Sequence, residues 1–373
     1  MARGTTPPIT RPPTRTNRGI AALRYVPAVR AFRLLDWQRP GFDDIAAAEP
    51  GSGEVLVRVG GVGLCHSDVL FLDSPAGVLP YDLPFTLGHE IAGWVESLGA
   101  DVDDLAEGDA VAVACMSPCG RCRWCRRGAD NYCVDSWHGR GFGVDGGLAS
   151  HLVVRRRELV PLGDLDPRVV APLTDAGATS YHAVQRVRPK LSSAAEVGDS
   201  TAVVIGVGGL GAYAVQWLKL QTAARIVAVE AREERVAAAR ALGADEVLLA
   251  GDGLSRRLRE AVGPDGADAV LDFVGSDQTL NTALRNAATM GAVAIVGQGF
   301  GTAQVRWGQP AHDCDVFNPQ GATIAELHEV VALARTGQVQ VEVEQFAFDE
   351  TPRAYERLRE GTLNGRAVVL PGS

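Results

Sequence analysis

Four of the chain's seven cysteines fall between Cys119 and Cys133, spaced C-x2-C-x2-C-x7-C. No other stretch constrains the fold so narrowly. Thiolates are soft anions, and four on one short loop repel one another unless a cation sits among them. A closed tetrahedral set of sulfurs suits a structural Zn²⁺, which holds a loop that has no core of its own. An iron–sulfur cluster is the rival, because Cys119, Cys122 and Cys125 share a bacterial ferredoxin spacing. Cys133 argues against it: it comes after seven intervening residues rather than three, and no proline follows. Free or disulfide-bonded cysteines are the remaining alternative, and zinc is the expectation for this lobe, residues 115–135. A structural metal of this kind says little about what the protein does.

The second constraint lies beyond Pro172, where strand-like and helix-like segments alternate. Strands are expected at 201–207, 225–230, 246–250, 269–274 and 292–297. Helices are expected at 210–220, 233–242 and 278–288, with one more after Ala322. Such alternation means βαβ units and a parallel sheet. Its first strand runs into Gly206-Val-Gly208-Gly209-Leu210-Gly211, a G-x-G-x-x-G turn leading to a helix. These glycines allow a tight turn, let a pyrophosphate approach the backbone and let helix pack close to strand. Glu230 follows 19 residues past Gly211. A carboxylate there accepts hydrogen bonds from both ribose hydroxyls and repels a 2′-phosphate, which favours NAD over NADP. Arg232 counts the other way, since a guanidinium receives a phosphate. Val274, at the end of a later strand, is a further candidate cofactor contact. A glycine-rich turn with no ligand is the bland alternative.

The region before Pro172 is β-rich. Strands are expected at 29–35, 54–59 and 91–96, and a turn at Glu107-Gly-Asp109 leads into another before the cysteine lobe. Strand-like 339–348 and 367–370 close the chain. Residues 1–27 stand apart: they are rich in Pro, Thr and Arg, and no acidic residue occurs before Asp36. That composition cannot bury enough apolar surface to order itself, so a flexible tail is expected. It lacks the apolar region of a secretory signal.

The length of 373 residues suits two domains. A net charge of −9 and a pI of about 5.4 disfavour nucleic acid as the main partner. No apolar run approaches the ~18 residues of a membrane helix. Clustered cysteine ligands without a signal peptide point to a reducing compartment, the cytoplasm.

Two more ligand-type residues occur in the β-rich region, Cys65 in Gly63-Leu-Cys65-His66-Ser67-Asp68 and His89 in Gly88-His89-Glu90. A lone Cys or His is more often a core residue. Beside a four-cysteine lobe and a dinucleotide motif, and in this order, the set resembles the zinc-dependent medium-chain alcohol dehydrogenases. The resemblance covers about residues 29–370 and is carried by GLCHSD, GHE, the cysteine lobe and GVGGLG; the tail has no counterpart.

The resemblance implies an α/β protein with a GroES-like β-barrel catalytic domain, residues 28–175 and 321–373, around a Rossmann domain, residues 176–320. It implies a catalytic zinc with three protein ligands and one open position. Cys65 and His89 match the first two ligands. The third is usually a Cys just before a helix, and here Asp175 takes its place. Cys115, Cys314, His151 and His182 do not occupy matching positions. Ser67 matches the hydroxyl that carries the substrate proton. Asp68 and Glu90 match carboxylates that orient the ligands, and His66 and Arg366 match positions that meet the cofactor's pyrophosphate. One departure concerns the proton path: many relatives end it at a histidine five residues after the first Cys, and here that residue is Leu70. Water or His66 is left for the last leg. Trp137, His138 and Phe142 are candidates for the pocket wall.

The function implied is NAD-linked oxidation of a primary or secondary alcohol, or the reverse reduction of a carbonyl, with two zinc ions per chain and a homodimer or homotetramer as the assembly. The alternatives are a relative that reduces an activated C=C or C=N bond and a non-catalytic NAD-binding protein. The retained Cys65, Ser67, His89 and Asp175 speak against both.

Overall fold

A computed structural model describes residues 28–135 and 139–372 of the chain. The tail, Trp137 and His138 lie outside the described residues. The chain begins with β1 (Val29–Asp36), β2 (Arg39–Ile45), β3 (Glu54–Gly63), α1 (His66–Asp73), β4 (Phe85–Thr86), β5 (Glu90–Leu98) and β6 (Ala110–Val113). The cysteine lobe follows, then β7 (His151–Arg155), β8 (Leu159–Pro161), α2 (Pro167–Val170) and the long helix α3 (Ala176–Ala195). Next come β9 (Thr201–Ile205), α4 (Gly211–Gln221), β10 (Arg225–Glu230), α5 (Val236–Ala241), β11 (Glu246–Leu249), α6 (Leu254–Val262), β12 (Ala267–Asp272), α7 (Asp277–Asn286), β13 (Ala287–Ile295) and β14 (Asp315–Phe317). The chain then returns through α8 (Ile324–Arg335), β15 (Val343–Ala347), α9 (Thr351–Glu360) and β16 (Arg366–Leu370).

Strands β9 to β14 form one six-stranded sheet in the order β11-β10-β9-β12-β13-β14, every pair parallel. Numbered from its first strand this is 3-2-1-4-5-6, the doubly wound order of a dinucleotide fold. Val203, Val204 and Ile205 of β9 are buried together. A strand covered on both faces has no alternation to show, so it reads as a continuous apolar run. The other large sheet runs β15-β16-β3-β5-β6-β8, with β7 also on β3, and is antiparallel except at β15–β16. A second apolar core lies beneath it, with Val55, Val57, Val59, Ile91, Val111 and Leu148 fully covered.

Two expected helices differ in extent. The helix expected at 233–242 is split into a 3₁₀ turn, Glu233–Arg235, and the short α5. The helix expected to reach 288 ends at Asn286, where the chain passes directly into β13. Helices α1, α2, α6 and α9 have no counterpart in the sequence reading; α6 and α9 are short and arginine-rich, with only Leu254 and Leu258 buried in the first.

Candidate metal and cofactor site

Register brings the candidate ligands together. In the antiparallel β3–β5 pair, Gly63 stands opposite Glu90. Cys65 lies two residues beyond the end of β3, and His89 just before β5. The third strand of chain is the 3₁₀ turn Ala171–Thr174, which is pinned to β5 because the Ile91 N–H donates to Thr174 Oγ1 at 3.1 Å. Asp175 follows at the start of α3. Ligand atoms of Cys65, His89, Glu90 and Asp175 all lie within 4.8 Å of one another and could hold a metal ion.

Asp68 ties this cluster together from below. At the third position of α1 its Oδ2 accepts from the Cys65 N–H at 3.0 Å, and its Oδ1 lies 2.9 Å from His89 Nδ1. With the Nδ1 proton directed at Asp68, His89 Nε2 carries the lone pair. That atom is buried and has no hydrogen-bond partner among the described residues, and Asp175 Oδ2 lies 3.4 Å away. A buried ring nitrogen facing a thiol and two carboxyls without a donor of its own fits a cation at their centre. The carboxylates make this spot favour positive charge: burial alone would disfavour a charged His89, yet Asp68 and Asp175 outweigh it and push its pKa well above the usual value, so without a metal a second ring proton takes the place that a bound cation would fill. Burial likewise opposes ionisation of Asp175, but His89 and Thr179 hold its pKa below the ordinary carboxylate range.

Asp175 is not an ordinary helix cap. It precedes α3, but its carboxyl accepts no backbone N–H of the first turn. Oδ1 instead accepts from the Thr179 hydroxyl at 2.7 Å, which leaves Oδ2 turned to the cluster. Ser67 Oγ lies 3.7 Å from Cys65 Sγ. Phe142 packs on His89, ring centroids 4.4 Å apart, and covers that side of the cluster.

The cysteine lobe has the geometry of a closed metal site. A tetrahedron with 2.3 Å metal–sulfur bonds has edges of about 3.8 Å. Here Cys119–Cys125, Cys122–Cys125 and Cys122–Cys133 Sγ separations are 3.9, 3.6 and 3.9 Å. Backbone N–H groups of Arg121 and Cys122 donate to Cys119 Sγ at 3.4 and 3.3 Å, the kind of support a thiolate needs. The cysteines are free thiols, not disulfides.

The glycine turn opens at the point where strand order reverses, between β9 and β12. Gly206 has φ +86°, and a Cβ on it would lie 2.7 Å from Val274 Cγ2. A Cβ on Gly211 would strike the Gly206 carbonyl, and one on Gly209 the Arg366 guanidinium. Above Gly208 the cradle is open among the described residues, with only Arg235 Nη1, at 3.9 Å, near a built Cβ. Leu210 and Gly211 start α4. Arg366 therefore stands over the turn while pairing with Glu90, Nε to Oε2 at 3.1 Å, which joins the cofactor cradle to the ligand cluster. Burial raises the Glu90 pKa, with Arg366 opposing. At the end of β10, Glu230 Oε1 accepts from the Ala231 and Arg232 N–H groups at 2.8 and 3.0 Å, which fixes its carboxylate at the strand tip.

The other candidate ligands are elsewhere or otherwise engaged. His151 lies on β7 beside Ser150, and Cys314 precedes the edge strand β14. His182 is held between Tyr132 and Glu326. Cys115 follows β6 near the cluster; burial raises its thiol pKa, with His89 opposing and Asp175 adding to the rise. Asp272 escaped the sequence reading. Fully buried at the end of β12, its Oδ1 accepts from the Val274 and Gly275 N–H groups at 2.9 and 3.0 Å and so shapes the wall of the cofactor cradle. The only sequence signal was an acid ending an apolar strand.

Residues 51–164 match the alcohol dehydrogenase GroES-like domain, and residues 209–336 the zinc-binding dehydrogenase domain. Over 358 residues the chain is 34% identical to an NAD-dependent alcohol dehydrogenase of Sulfurisphaera tokodaii, covering 92% of this chain and all of that one. The chain belongs to the zinc-dependent medium-chain alcohol dehydrogenase family. It is also 31% identical to a D-arabinose 1-dehydrogenase (NADP(+)) of Saccharolobus solfataricus, over 92% of this chain and 97% of that one. Among solved structures, the alcohol dehydrogenase of Aeropyrum pernix superposes with a TM-score of 0.82 at 33% identity, covering 92% of this chain and 100% of that one. Members of this family thus combine a GroES-like domain with a doubly wound sheet, as here, while their named cofactors differ.

Proposed function

We propose that the protein oxidises a primary or secondary alcohol with NAD⁺, or reduces the corresponding carbonyl with NADH, at a catalytic zinc held by Cys65, His89 and Asp175. The observation that carries this reading is the buried His89 Nε2, without a hydrogen-bond partner among the described residues, set among Cys65, Glu90 and Asp175 beneath Arg366 and the glycine turn. A zinc ion there supplies a Lewis acid that polarises the substrate oxygen and lowers an alcohol's pKa, and NAD⁺ supplies the hydride acceptor.

The chain's own groups do the rest. Cys65 and Asp175 contribute two negative charges and His89 a neutral imidazole, aligned by Asp68. Ser67 takes the substrate hydroxyl proton. Leu70 cannot pass it on, so water or His66 carries the last leg. Arg366 and the N–H groups at the start of α4 receive the pyrophosphate. Glu230 binds the adenosine ribose and selects NAD over NADP. A second zinc, on Cys119, Cys122, Cys125 and Cys133, holds the lobe. No helix among the described residues is long and apolar enough to cross a membrane, and we place the enzyme in the cytoplasm as a homodimer or homotetramer.

The test is NADH absorbance with a panel of primary and secondary alcohols, run with both cofactors on protein of known zinc content. Turnover with NAD⁺ at two zincs per chain is expected. Absence of turnover on every alcohol and carbonyl tried, with one zinc per chain, would reject the reading.

A further inference from the structure

The four-cysteine lobe does more than fold on itself. Asp130, Asn131 and Tyr132 lie directly before the ligand-type Cys133, and each reaches out to one of the two places where the chain crosses between the sheets. One crossing is α3, which starts at Asp175. The other is the segment entering α8. The Asn131 side chain donates to the Gln320 carbonyl at 2.8 Å, and Asp130 Oδ1 accepts from the first N–H of α8, that of Ile324, at 3.1 Å. Tyr132 Oη lies 3.2 Å from His182 Nε2 on α3.

His182 closes the circuit. Its Nδ1 lies 2.8 and 3.0 Å from the two oxygens of Glu326 on α8. Glu326 in turn accepts from the N–H and hydroxyl of Thr323, the residue that caps α8. The histidine is buried, and both its ring nitrogens are used, one toward each neighbour. It sits seven residues after Asp175 on the same helix, two turns or about 10 Å along the axis. Two turns of rigid helix transmit a displacement at one end to the other. On the opposite side α3 is pinned by Trp217, whose indole N–H donates to the Gly177 carbonyl at 3.0 Å. With the Thr174 contact to β5 and the Tyr181 hydroxyl on Glu329 of α8, the lobe contact at His182 is thus one of several anchors that set where the start of α3 places Asp175, and the one that comes from the cysteine lobe.

We propose that the cysteine lobe latches α3 through Tyr132 and His182, and that His182 is a positioning residue that keeps Asp175 in register with Cys65 and His89. The inference rests on the proposal above that Asp175 is a metal ligand. Metal held in the lobe then strengthens retention of metal at the distant cluster, although the two sets share no residue.

The test follows zinc release to a chromophoric chelator from the two-zinc enzyme, with lobe zinc and cluster zinc resolved by their kinetics. His182→Leu should release the cluster zinc roughly tenfold faster, in the range seen when groups supporting a ligand are removed, while the lobe zinc stays in place. His182→Gln, which keeps a donor and an acceptor, should recover most of the difference. Tyr132→Phe should accelerate release less, and adding it to His182→Leu should change nothing further. An unchanged cluster release rate in His182→Leu, whatever happens to its melting temperature, would overturn the proposal and leave His182 a packing residue. A wild-type enzyme carrying zinc only in the lobe would instead refute the reading of Asp175 on which it rests.

Discussion

The two ligand sets are built in opposite ways. The cysteine lobe draws all four sulfurs from one fifteen-residue stretch, lies at the surface, and contains 3₁₀ turns at Cys125–Arg127 and Asp130–Tyr132. The second set joins Cys65, His89 and Asp175 from three separate parts of the chain, with Cys65 and His89 buried and Asp175 partly so, and depends on the β3–β5 register and the placement of α3. A local set needs only the right spacing and a metal. A dispersed set needs the whole fold first, and so it can be tuned by residues that never touch it.

That contrast predicts unequal consequences. His89→Ala should empty the dispersed site alone and cut turnover on the order of a thousandfold or more, about 4 kcal/mol of barrier, with lobe zinc retained. Zinc analysis beside a rate measurement checks it, and loss of both metals together would show that the lobe cannot hold its own metal without the dispersed site. A smaller effect is expected at the cofactor. Glu230→Ala should narrow the preference in kcat/KM for NAD⁺ over NADP⁺ by about tenfold, or 1.4 kcal/mol. Wild-type enzyme using NADP⁺ as well as NAD⁺ would mean that Arg232 outweighs the carboxylate.

A third effect, on stability rather than turnover, belongs to the root of the lobe. Glu158 is fully buried and accepts from Ser117 Oγ at 2.6 Å, Arg140 Nη2 at 2.8 Å and Arg155 Nε at 2.6 Å. Burial opposes its ionisation, but Arg140 and Ser117 outweigh it and hold its pKa below the usual value of 4.5. A carboxylate whose pKa is depressed by folding contributes stability that is present above its unfolded pKa and lost as pH falls through the folded one. Glu158→Gln should therefore destabilise the enzyme at neutral pH by about 1–3 kcal/mol, and the difference should shrink below about pH 4.5. Melting curves from pH 7 to 3.5 test this; a constant difference across that range would exclude a linkage through Glu158.

The same contrast explains what could be read from the chain beforehand. The lobe and the glycine turn were legible because each is contiguous and its spacing follows directly from coordination or turn geometry. Cys65, His89 and Asp175 became a set only through family resemblance, since nothing in their spacing says that Gly63 will face Glu90. The extent of α3 was hidden for another reason. Ala176 to Val184 are buried one after another, so its first half has no polar face and no helical stripe to detect. Asp272 and the Tyr132–His182–Glu326 chain were equally invisible, because hydrogen bonds between distant segments leave no periodicity. His182 in particular offered only a histidine in an apolar stretch.

The account turns on Asp175. As a helix cap it would cost ~0.5–2 kcal/mol of stability when lost and leave the metal untouched, but its carboxyl receives no backbone N–H of α3. The decisive measurement is zinc per chain alongside turnover in Asp175→Ala. One zinc, retained by the cysteine lobe, with almost no remaining activity is the predicted result. Two zincs per chain with substantial turnover would contradict it and return Asp175 to a structural role.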